Sequence, residues 1–108
     1  MRTITNTELR SAVRACYDAG RLIAQDGPEY HGDFRNANGR RCALGAAMTE
    51  DELARTGIFG FRRAGVAFAD PDFAEELLIA HEMWRRQAMS GDSVKCELEF
   101  LTILARGD

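Results

Sequence analysis

The first 26 residues alternate apolar and polar positions with a helical period. Leu9, Val13, Cys16, Gly20 and Ile23 recur three or four residues apart, so one face is apolar. Thr5 and Glu8 have the spacing of a capping box, and Gly27-Pro28 supplies a stop. The pattern predicts a helix over about 7–26. A stronger signal spans 70–91. Asp70 is placed to cap, Pro71 falls at the first helical position, and Asp72, Glu75 and Glu76 lie at the positive end of the dipole. Arg85 and Arg86 lie near its negative end. Phe73, Leu77, Leu78, His81, Trp84 and Ala88 make an apolar stripe that ends before Gly91. Asp92 or Ser93 then caps a last helix with the stripe Val94, Leu98, Leu101 and Ala105, flanked by Phe100, Ile103 and Leu104. The short loop makes these two helices antiparallel neighbours.

Between the long helices the pattern breaks. Residues 27–41, "GPEYHGDFRNANGRR", are rich in turn formers and read as a long ordered loop with Tyr30 and Phe34 as anchors. Residues 42–48, "CALGAAM", are small and apolar and read as helix or buried strand. A strand pairing of 2–5 with 41–46 is the secondary reading. Thr49 and Glu52 repeat the capping-box spacing and predict a short helix at about 50–56, ended by Gly57. The 57–69 stretch carries Ile58, Phe59, Phe61, Val66 and Phe68 between glycines and reads as irregular. The expected fold is mainly α: one small domain over 1–108, with three main helices, short helical segments and a long loop.

Composition narrows the function classes. The chain of 108 residues is 45% hydrophobic and 29% charged, an ordinary globular balance. A net charge of −3 gives no general attraction to nucleic acid or anionic membrane. Lys95 is the single lysine among 14 basic residues. Three cysteines at wide spacing, and an N-terminal "MRTITNTELR" without the apolar run of a secretion signal, lead to the expectation of reduced thiols in a cytoplasm. No apolar run has the length of a membrane span.

Cys42 is the first residue with candidate chemistry. It stands beside Arg40 and Arg41, which favour a thiolate, and His81 or His31 would serve as base, with Glu82 or Asp33 to orient it. The competing reading makes Cys42 a small buried residue in a close-packing segment. His31, Cys42, His81 and Cys96 have none of the paired spacing of a zinc motif, so no metal and no cofactor are expected. His81 lies on an apolar stripe and reads as a half-buried ring that packs on a neighbour and bonds a backbone carbonyl, or as an anchor of the 27–41 loop through that loop's backbone or Asp33. Arg40–Arg41, Arg62–Arg63 and Arg85–Arg86 are pairs that read first as solvated charge.

The segment "GRRCALGAAM", followed downstream by "LLIAHE", resembles small uncharacterised bacterial and phage proteins. Those carry a Cys-Ala-hydrophobic-Gly-Ala segment and a later helix with Leu-x-x-x-His. The matching residues are Cys42, Ala43, Leu44, Gly45 and Ala46, then Leu77 and His81; Glu82 stands where many of those proteins have aspartate. The resemblance implies a small helical accessory protein, of the phage or mobile-element kind that inhibits host defence or nucleic-acid machinery by binding it. The leading expectation is therefore a non-enzymatic protein-binding protein. Its docking residues would be Tyr30, Phe34, Arg35, Arg40 and Arg41 in the loop, and Phe59, Phe61, Arg62 and Arg63 downstream. The alternatives are a cysteine-dependent enzyme using Cys42 and His81, and a homodimer formed through helices 72–89 and 93–106.

Overall fold

A computed structural model describes residues 2–26, 39–56 and 65–106, and they are mainly helical. Tyr30, His31, Asp33, Phe34, Arg35, Ile58, Phe59, Phe61, Arg62 and Arg63 lie outside the described residues, as do the stops assigned to Gly27-Pro28 and Gly57. The elements are β1 (Arg2–Ile4), α1 (Asn6–Asp18), 3₁₀ turns at Ile23–Gln25 and Gly45–Ala47, α2 (Glu50–Thr56), β2 (Val66–Phe68), α3 (Pro71–Arg86) and α4 (Ser93–Ala105). Among the described residues no helix is long and apolar enough to cross a membrane.

The capping box of α1 forms as its spacing predicts. The Glu8 N–H donates to Thr5 Oγ1 at 3.1 Å, and the Thr5 N–H donates to Glu8 Oε1 at 3.3 Å. The helix does not run to residue 26. It stops at Asp18, because Gly20 takes a left-handed φ of 69°. The Arg21 N–H then reaches back to Cys16 O and the Gly20 N–H to Tyr17 O, each at 2.9 Å. This is the Schellman closure, which satisfies carbonyls left open at a helix end. Ile23, in phase with the α1 stripe, is buried in the following 3₁₀ turn instead. A Cβ at residue 20 would meet nothing within 4 Å, so strain alone decides the outcome there. Gly20→Ala is expected to lower stability by about 1–2 kcal/mol, measured as a shift of the urea midpoint. An unchanged midpoint would show that the left-handed stop is not at Gly20.

Pairing differs from the alternative drawn from the sequence. β1 pairs in parallel with β2, with Arg2 opposite Val66 and Ile4 opposite Phe68. Val66 and Phe68 point inward with the two-residue period of a strand, and both are buried. The 41–46 segment makes a single parallel bridge at Arg41 to Leu22 and then coils. The Ala46 N–H bonds Cys42 O and the Met48 N–H bonds Gly45 O, so "CALGAAM" is a chain of tight turns rather than a helix or a strand. It packs on α1, with Cys42, Ala43, Leu44 and Gly45 all buried.

α2 starts at the second capping box, with the Glu52 N–H donating to Thr49 Oγ1 at 3.2 Å. Glu52 also takes two hydrogen bonds from the Arg2 guanidinium, at 2.8 and 2.6 Å, which fixes β1 to α2. This pairing holds the Glu52 carboxyl down at about 2. α3 follows its sequence signal closely: Asp70 Oδ1 accepts from the Phe73 N–H, and Phe73, Leu77, His81 and Trp84 are buried.

α4 departs from expectation. Cys96, Phe100 and Leu104 face the core, whereas Val94 and Leu98, in the predicted stripe, are exposed. Two apolar faces compete on this helix. The face carrying the largest ring turns inward, where Phe100 meets Trp84 at 5.4 Å between centroids.

Candidate functional site

Cys42 and His81 are both sealed from solvent. The Gly45 N–H donates to Cys42 Sγ at 3.3 Å, a contact created by the turn that follows. Burial dominates the thiol and pushes it up to about 12. Such a shift lowers the thiolate fraction at neutral pH by roughly 1,000-fold relative to an ordinary cysteine. Arg40 and Arg41, which favour a thiolate by sequence proximity, are engaged elsewhere. Arg41 Nη1 donates to Met48 O at 2.8 Å and Nη2 pairs with Glu50; Arg40 pairs with Asp26 and bonds Gly20 O. These two residues, expected at a docking surface, are half-buried and hold the segments around 20–26 and 41–50 together.

His81 is placed by three elements. Its Nε2 accepts from the Ala24 N–H at 3.3 Å, which ties α3 to the first 3₁₀ turn. An accepting Nε2 puts the proton on Nδ1 of the neutral ring. Nδ1 lies 3.8 Å from Glu82 Oε1, beyond hydrogen-bond reach, and neither atom has another partner among the described residues. Burial lowers the His81 basicity and outweighs the upward pull of Glu82. Burial acts to raise the Glu82 carboxyl, yet His81 and Arg85 together bring it down to about 2. The Arg85 guanidinium grips Glu82 with bonds of 3.0 and 2.7 Å. The ring of His81 meets Phe100 at 6.0 Å and Trp84 at 6.2 Å, both edge-on. His81 is thus an anchor, but by accepting a backbone N–H rather than bonding a backbone carbonyl, and to a segment other than the expected 27–41 loop. Its partner is the 3₁₀ turn at Ile23–Gln25.

Thiol chemistry reads this arrangement directly. In the folded protein, Cys42 is expected to resist iodoacetamide at pH 8, while half-buried Cys16 reacts first; all three thiols react in denaturant. Rapid labelling of Cys42 in the native state, located by mass spectrometry, would restore it as a nucleophile. Among the described residues no three His, Cys, Asp or Glu side chains are placed to hold a metal ion.

The described surface is distinctive elsewhere. Its large exposed hydrophobic residues are Ile79, Met83, Met89, Val94 and Leu98, and every one belongs to the α3–α4 hairpin. On α4 they border a shallow concavity of about 760 Å³ walled by Val94, Lys95, Leu98, Glu99, Thr102 and Ile103. The sequence reading saw this stripe and placed it inside. Its visible signal was a second apolar face on the same helix, left over once Phe100 is buried.

No family model matches the chain, and no curated protein or solved structure is significantly similar to it.

Proposed function

We propose that this chain is a non-enzymatic protein-binding module that docks through the outer face of the α3–α4 hairpin. The observation that carries the reading is that, among the described residues, the large exposed hydrophobic ones all belong to that hairpin. A surface apolar patch of this kind, edged by polar groups, is what association covers. Cys42 and His81 support the reading from the other side, since both are packed as structure and neither meets solvent. The resemblance drawn from the sequence adds the class of inhibitor that acts by binding host machinery.

The test is a photo-crosslinking amino acid at position 98, compared with one at exposed position 18 on α1, in cells expressing the chain. Discrete protein adducts at 98 and none at 18 are expected. Equal capture at both positions, or none at either, overturns the reading.

A further inference from the structure

We infer that Cys16 is a modification site, which exchanges with an anionic low-molecular-mass disulfide entering the cleft between α1 and the 39–50 segment. This is a second property of the chain and uses no residue of the α3–α4 hairpin.

Two backbone bonds build the cleft. The Arg21 N–H donates to Cys16 O at 2.9 Å, and the Arg41 N–H donates to Arg21 O at 3.0 Å. The end of α1 is thereby tied to the start of the 41–50 segment, with both arginines beside the same turn of α1. The result is a concavity of about 450 Å³, walled by Cys16, Arg21, Gly39, Arg41, Ala46 and Glu50. Its size is that of a small-molecule site. Of the three thiols, Cys16 alone is half-buried, while Cys42 and Cys96 are buried.

The charges of the cleft select the co-reactant. Its walls hold two guanidiniums and one carboxylate, a net positive charge on a chain whose total is −3. Arg41 is matched by Glu50. Arg21 makes no ion pair among the described residues, and its head lies by Gly39, where a Cβ would stand 3.6 Å from Nη2. Burial pushes the Cys16 thiol up, and Arg41, Arg21 and Arg40 all pull it the other way. The guanidiniums thus favour the attacking thiolate and attract a carboxylate-bearing disulfide. In the exchange the thiol gives its proton to solvent, and Sγ attacks one sulfur of the incoming disulfide. A new S–S bond forms at Cys16 as the old one breaks, and the departing thiolate takes up a proton. One disulfide is consumed and one is made, so no further oxidant is needed.

The test uses the intact native chain, glutathione disulfide as the anionic probe and cystamine as the cationic one. Adduct formation is followed by mass spectrometry with the site located in peptides. Each rate is divided by that of a blocked, uncharged cysteine with the same disulfide, which cancels intrinsic reactivity. The first glutathione adduct is expected at Cys16, and the corrected rate should exceed that of cystamine by about 3–10-fold at low salt, the preference shrinking at high salt. Arg21→Gln changes an exposed side chain and should reduce the preference by about 2–5-fold. Cystamine reacting as fast as glutathione disulfide, or faster, overturns the proposal. So does a first adduct at Cys42 or Cys96, a native chain that forms none, or an Arg21→Gln variant with the preference intact.

Discussion

Phe100→Ala is expected to lower the unfolding free energy by about 3–5 kcal/mol. Phe100 is fully buried, and its ring packs on two aromatic rings of α3. It lies 5.4 Å from Trp84 and 6.0 Å from His81, both on α3, while Trp84 lies 6.0 Å from Tyr17 on α1. α3 against α4 is also the most extensive packing between described elements. Removing the ring therefore opens a cavity at the junction of three helices, where collapse from one side withdraws atoms from another. A domain of this size has about 5–15 kcal/mol in total, so the variant is expected to sit near the edge of folding. Urea denaturation followed by Trp84 fluorescence measures it, since the only tryptophan is a member of the cluster. Phe100→Leu keeps most of the volume and should cost less than half as much. A loss below about 1 kcal/mol for the alanine variant would show that Phe100 does not carry the helix junction.

The elements that were legible in the sequence are those whose causes are local. Asp70, Pro71 and the following stripe specify α3 within a few residues of its observed ends. The two Thr-x-x-Glu boxes specify the starts of α1 and α2, because a side chain reaching three residues along needs no tertiary partner. The end of α1 was misread for an equally local reason. Gly20 is in phase with the apolar stripe, and so is Ile23 beyond it, so periodicity alone carries the helix through a residue whose left-handed φ ends it. The pairing of β1 with β2 joins residues more than 60 positions apart, and nothing within Arg2–Ile4 names its partner.

Orientation was harder to read than existence. α4 was placed correctly but turned around its axis, because its two apolar faces satisfy the same helical spacing and only the shape of the Trp84 neighbourhood chooses between them. The candidate site divides in the same way. That His81 packs inside follows from its position on the α3 stripe; that it receives the Ala24 N–H depends on a 3₁₀ turn created by the early end of α1. Arg40 and Arg41 look like surface charge in the sequence because two of their acceptors, Gly20 O and Met48 O, are backbone groups with no signature of their own. The same error of orientation hid the exposed apolar face of α4 at Val94 and Leu98.

Because of His81, stability is expected to fall as pH drops below about 6.5. In the unfolded chain this imidazole takes up a proton near its ordinary value of 6.5; in the folded chain burial holds it neutral to lower pH. The unfolded state therefore binds more protons between the lowered folded value and 6.5, so stability rises with pH across that window and is lost on acidification. His81→Leu keeps the packing and removes both the titration and the acceptor. At neutral pH it leaves the buried Ala24 N–H without its partner, which costs about 1–3 kcal/mol. The leucine variant has no proton to take up at this position. Its deficit relative to the wild type should narrow as the pH falls from 7 toward 5. Glu52 and Glu82, both held at about 2, produce a separate loss of stability as pH falls below the ordinary carboxylate range and through about 2. That loss should persist in the variant, because Arg2 and Arg85 still hold those carboxylates. The measurement is urea unfolding of both proteins at half-unit steps of pH. A deficit that stays constant from pH 7 to 5 would mean that His81 titrates alike in the folded and unfolded chains, and the sealed anchor between α3 and the first 3₁₀ turn would have to be given up.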